Sequence, residues 1–146
     1  RLRGTGNGRR VAFEAPTGTV TVTTWLNAET RLRVECGPKE LVARRAGVVV
    51  PDAVEPLEGA FRDKLLARCS DKAAGRIVFD STMQQRLAGL PTVDFVGEQF
   101  RVAWTVPVVS DLNETEALLG ALCAIADGLE NFPKPGATPN AQANRS

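Results

Sequence analysis

The stretch "TGTVTVTTWL", Thr17 to Leu26, sets the class of the fold. Val20, Val22 and Thr24 alternate with Thr19, Thr21 and Thr23, and β-branched residues dominate, as in a half-buried strand. The run "RVAFEA", Arg10 to Ala15, precedes it, and "APTG" at Ala15 to Gly18 puts Pro and Gly where a turn needs them. The two runs therefore read as a β-hairpin. A second alternation follows in "TRLRVEC", Thr30 to Cys36. There Leu32, Val34 and Cys36 face one way, and Arg31, Arg33 and Glu35 the other. One apolar face and one wet face is the pattern of an antiparallel sheet. Its expected hairpin partner is "ELVARRA", Glu40 to Ala46, reached through "GPK" at Gly37 to Lys39.

Further along, "GVVVPDAVEPLEG", Gly47 to Gly59, carries two prolines and reads as a loop or a brief edge segment. "FRDKLLARCS", Phe61 to Ser70, fits both periods. Phe61, Leu65 and Cys69 are spaced by four, and Phe61, Leu65, Ala67 and Cys69 also share a strand face. "SDKAAGRIVF" predicts a short helix with its cap at Ser70 or Asp71, weakened by Gly75. "DSTMQQRLAGL" predicts another, capped by Asp80 or Ser81 and stopped by Gly89. "TVDFVGEQFRVAWTVPVV", Thr92 to Val109, predicts a hairpin around Gly97 and Glu98. Leu118, Leu122, Ile125 and Leu129 line one face of a long final helix, with an Asp111–Glu114 capping box at its start.

Composition removes several classes of chemistry. The chain has 146 residues, a net charge of +1 and no His or Tyr. That length suffices for one domain with a core of its own. Without histidine, the Ser-His-Asp and Cys-His designs and most zinc sites are absent. Three cysteines, Cys36, Cys69 and Cys123, are too few and too scattered for a Cys₄ site or a disulfide framework, and read as buried thiols. A near-neutral charge gives no footprint for nucleic acid. No apolar run reaches bilayer length, and the first residues lack a signal-peptide core. No catalytic, cofactor-binding or metal-ligating residue is assigned, and no cofactor is expected.

The ends have a different character. "RLRGTGNGRR" is basic, with Gly4, Gly6 and Gly8 in a GxGxG array that precedes a strand instead of following one. It lacks the context of a phosphate cradle. Residues 1–8 are read as a flexible basic leader, 9–132 as a single α+β domain, and 133–146 as a disordered tail. The chain starts at Arg1 and not at Met, and is read as a fragment. Arg1 to Arg45 hold nine bases against four acids, whereas Asp111 to Glu130 hold five acids and no base. Such a dipolar surface would orient the domain against a membrane or a partner.

The order of these features resembles an uncharacterised group of bacterial proteins. It rests on the two early hairpins, "FRDKLLARCSDKAA" at Phe61 to Ala74, "MQQRLAGL" at Met83 to Leu90, the "VGEQFRV" hairpin and the leucine-rich last helix. The group carries a soluble α+β domain, commonly beyond one or two membrane-spanning helices. The resemblance implies an extended segment over Arg62 to Cys69 and supplies no catalytic residue.

The expected architecture is an antiparallel sheet of about six or seven strands, with two short helices and a long C-terminal helix on one face. The expected function is a non-catalytic interaction or regulatory domain, cytoplasmic at the inner face of a membrane, with a protein or the membrane surface as partner and no nucleic acid. Two alternatives stand beside it. Trp25, Trp104, Phe95 and Phe100 could line an apolar cavity for a lipid or small ligand. Asp63, Asp71, Asp80 and Asp94 could serve a carboxylate-dependent enzyme.

Overall fold

The computed structural model describes residues 2–6, 9–15, 18–44, 52–55, 57–107 and 112–136. Along the chain they form β1 (Leu2–Gly6), β2 (Arg9–Glu14), β3 (Thr19–Pro38), α1 (Lys39–Arg44), β4 (Asp52–Ala53) and α2 (Gly59–Lys64). Then come β5 (Leu65–Cys69), α3 (Lys72–Val78), α4 (Ser81–Ala88), β6 (Phe95–Pro107) and α5 (Leu112–Glu130). The fold is α+β: the strands join one antiparallel sheet, and α5 packs against β3 and β6.

The first hairpin is present. β2 pairs β3 from Val11↔Thr24 to Glu14↔Thr21, and Gly18 takes a φ of +70° at the end of the turn, where a side chain would be strained. Thr17–Leu26 and Thr30–Cys36, read as separate strands, are the two arms of β3. The first arm pairs Thr19–Trp25 with Arg101–Pro107, and the second pairs Thr30–Cys36 with Phe95–Gln99.

β6 is an unbroken extended run, yet it doubles back on itself. In a straight strand Phe95 and Trp104 would stand about 30 Å apart at ~3.3 Å per residue. Their ring centroids are 4.8 Å apart. The Thr105 N–H donates to the Asp94 carbonyl at 2.8 Å. A hairpin with its tip at Gln99 and Phe100 satisfies both observations, and Gln99 has the φ of +55° that such tight turns require. The hairpin expected around Gly97 and Glu98 therefore exists, with its tip slightly later. The wide bend of β3 passes around this tip, where the β3–β6 register shifts between Trp25 and Arg33. Beyond the second arm of β3 lie β5 and then β4.

Two segments differ from expectation. "ELVARRA" does not form the second strand of a hairpin: Lys39–Arg44 is helix α1. Lys, Glu, Leu, Ala and Arg favour helix, and Pro38 immediately before it cannot donate to a sheet. Val42 is buried beside Gly37, where an added Cβ would lie 3.3 Å from the valine Cγ2. In "FRDKLLARC" the extended segment begins at Leu65 and not at Arg62, because Gly59–Lys64 is helix α2 with Phe61 buried. Both periods are thus realised in succession. At the N-terminus, read as a flexible leader, Leu2–Gly6 pairs with β2 as β1. The brief edge segment expected in Gly47–Gly59 is β4, paired with β5.

The core lies between the sheet and the helices. Phe79, Phe95 and Trp104 stack in series, with Phe79 and Phe95 centroids 6.2 Å apart. The expected face of α5, Leu118, Leu122, Ile125 and Leu129, is buried against them. Gly97 lets the helix approach: an ideal Cβ there would sit 2.7 Å from Leu129 Cδ1. Gln84 is buried and ties two helices together. Its Oε1 accepts from Glu58 N–H, and its Nε2 donates to the Phe79 carbonyl. After α5 the chain returns to the sheet. Arg31 N–H donates to the Phe132 carbonyl and Lys134 N–H to the Glu29 carbonyl, fixing residues 132–134 beside β3. The tail from 137 and the Asp111 side of the expected capping box lie outside the described residues.

Candidate interaction surface

Alternation places the odd residues of β3 on the face of the sheet opposite the core. Around the β6 tip that face divides into two regions with different charge balance.

The first region is a shallow groove of about 400 Å³ between the second arm of β3, the β6 tip and the returning C-terminal segment. Its cations are all compensated. Arg31 pairs with Asp71 at 2.8 Å, Lys134 with Glu29 at 3.2 Å, and Arg33 with both Glu98 and, at 3.0 Å, Glu35. Burial works against charge on Arg33, but its bonds to Glu98 and Glu35 outweigh it and hold the guanidinium above its ordinary pKa. Glu35 was expected to face water. It is 5% exposed, and Arg68 of β5 is its cross-strand partner.

The second region is a row across β2, β3 and β6. Trp25 and Arg101 are cross-strand partners, and on the other side the Arg10 guanidinium lies 4.8 Å from the Trp25 ring centroid. This is cation–π distance. The Arg10 Nε is buried with no hydrogen-bond partner. The neighbouring row is small, with Ala12 opposite Thr23 and Thr23 opposite Ala103. Among the described residues no carboxylate pairs with Arg10 or Arg101.

The sequence candidates for chemistry fall elsewhere. Asp71 caps α3 by accepting from Ala74 N–H at 3.1 Å, and Asp80 caps α4 by accepting from Met83 N–H at 2.8 Å. Arg31, with the Ala74 amide second, holds the Asp71 carboxyl below the usual carboxylate range. Asp63 is exposed on α2, and Asp94 leads into β6. The four carboxylates thus occupy four separate elements. Among the described residues no three Cys, Asp or Glu side chains are grouped to hold a metal ion. Cys36, Cys69 and Cys123 are buried and form no disulfide. Burial raises the thiol pKa of Cys36 and Cys69, and Asp94 adds to it at Cys36.

The four aromatics do not surround a common space. Phe95 and Trp104 fill the core, Trp25 lies under Arg10 on the opposite face, and Phe100 is exposed at the β6 tip. Gly4 and Gly6 lie in β1, which leads to a strand and not to a helix. The Arg–Trp–Arg row escaped the sequence reading because its members lie far apart in the chain. Only the register brings them together.

No family model and no curated protein matches the chain. Among solved structures it is similar to the mycobacterial trehalose monomycolate transport factor A, TtfA. The likeness has a TM-score of 0.66, covers 90% of this chain and 71% of that one, and comes with 15% sequence identity. At that identity it establishes the fold. Among the described residues no helix is long and apolar enough to cross a membrane.

Proposed function

We propose that this chain is a non-catalytic binding domain that works at a membrane, as the extramembrane part of an anchored bacterial protein on its cytoplasmic side. The observation that carries the reading is the employment of its reactive groups. Asp71 and Asp80 hold helix starts, and the thiols are buried, so among the described residues the surface offers paired charges and an Arg–Trp–Arg row. Function is argued from such a site and not from the fold.

Fractionating the product of the complete reading frame tests it. Retention in membranes after a carbonate wash is expected. A fully extractable product, or turnover of a substrate by the domain, overturns the reading.

A second reading is lipid or small-ligand binding. It is favoured by the likeness to TtfA, which is described as a transport factor for trehalose monomycolate. Native mass spectrometry of the chain would reveal a co-purifying lipid if this reading holds.

A further inference from the structure

We propose that the β6 tip and the Arg10–Trp25–Arg101 row form a docking surface for an anionic lipid headgroup layer. The inference rests on the membrane reading above and names the surface that would make the contact.

Three observations converge on one end of the sheet. First, the cations there are of two kinds. Arg31, Arg33 and Lys134, on the side of the second β3 arm, are each neutralised by a carboxylate. Arg10 and Arg101, on the side of the first arm, have no carboxylate partner among the described residues. An external anion gains more from this pair than from the arginines already paired with carboxylates. Second, Trp25 lies between those two arginines and is half-buried. An amphipathic ring flanked by guanidinium groups suits the headgroup level of a bilayer. Third, Phe100, the residue before Arg101, is 36% exposed at the turn. A large apolar side chain exposed at this turn can enter the acyl boundary while the arginines stay among the phosphates. The adjoining row runs from Arg3 of β1 through Ala12 and Thr23 to Ala103, and Ala12 within it is buried. Glu14 stands one row further from the tip, opposite Thr21.

The test uses the 146-residue chain and phosphatidylcholine vesicles with and without phosphatidylglycerol. The protein reports on itself. Trp104 is fully buried, so a vesicle-dependent change in emission belongs to Trp25. The expected result is partition and a blue shift with the anionic vesicles only, weakened by salt. Arg101→Gln lowers the partition coefficient about fivefold, and adding Arg10→Gln lowers it about fivefold again. Arg101→Lys retains binding, which separates loss of charge from loss of fold. Phe100→Ser weakens binding without changing its salt dependence. Lys72→Gln with Arg76→Gln, on α3, leaves it unchanged.

The proposal is overturned if anionic vesicles give no partition, or if the Arg10 and Arg101 variants bind like the parent. It is also overturned if soluble glycerol phosphate reproduces the shift without vesicles, which assigns the row to free phosphate. A larger Trp25 response to single-stranded oligonucleotide would assign it to nucleic acid. Membrane retention of the full product without vesicle binding sinks this inference alone; a product extracted by carbonate sinks the broader reading.

Discussion

Replacing Gly97 with alanine sets intrinsic preference against packing, and the two predict opposite signs. In a strand interior, alanine is favoured over glycine by about 0.5–1 kcal/mol. The Gly97 Cβ, however, would lie 2.7 Å from Leu129 Cδ1 and 3.0 Å from Val34 Cγ2. Both neighbours are fully buried, so neither can swing into solvent. Overpacking of this kind costs about 1–3 kcal/mol. The balance is a net loss of roughly 1 kcal/mol, taken from the middle of both ranges. Urea unfolding should show it as a lower midpoint with an unchanged m-value. The companion variant is Leu129→Ala, which alone should cost about 2–5 kcal/mol as a cavity. Combined with Gly97→Ala it should cost less, because the new methyl enters the vacated space. A coupling of about 0.5–3 kcal/mol is expected for side chains in contact. If Gly97→Ala stabilises the protein, or the two changes simply add, then α5 does not rest on Gly97, and the doubled-back path of β6 under that helix is refuted with it.

Three further outcomes follow from the same geometry. Asp80→Ala removes the α4 cap and should cost about 1 kcal/mol in urea unfolding, whereas Asp80→Asn should cost a fraction of that; equal losses would deny the capping role. Asp71 is depressed chiefly by Arg31, so its contribution to stability is present above the ordinary carboxylate pKa and is lost as the pH falls through its lowered one. Arg31→Gln should move the Asp71 carboxyl titration, followed by carbon-13 NMR, up towards the ordinary range; an unmoved titration would break the assignment. Cys36, Cys69 and Cys123 should resist a thiol-reactive disulfide in the folded protein and all react in denaturant, and rapid labelling of any one before unfolding would contradict its burial.

What the sequence made legible, and what it hid, follows from the range of each signal. The α5 face is written within one element, since Leu118, Leu122, Ile125 and Leu129 recur at helical spacing and all are buried. The capping residues Asp71 and Asp80 are equally local. The strand expected over α1 differs from the structure because a short apolar run, Leu41 to Ala43, between charged residues does not by itself decide between strand and helix. Here residue propensity and the preceding proline decide. Arg62–Lys64 went the same way: Phe61 needed burial, and a single helical turn supplied it before the strand began at Leu65.

The β6 turn shows a different limit, and it bears on the proposed surface. Phe95 and Gly97 are buried at odd positions, then Val102, Trp104 and Val106 at even ones. A switch of parity announces that the chain turns or bulges between them, but periodicity alone cannot say which. The hydrogen bond from Thr105 to Asp94 and the Phe95–Trp104 contact decide for a turn. The same turn brings Arg101 opposite Trp25, and the β2–β3 register brings Arg10 to the other side. A one-residue slip in either pairing would send these side chains to the core face. The surface proposed here is therefore a consequence of register, which is why it cannot be read from charge counting. It is also why vesicle binding should weaken on substitution of any member of the row, Arg10, Trp25 or Arg101, while substitutions in the charge-paired groove on the other side of the tip leave it intact.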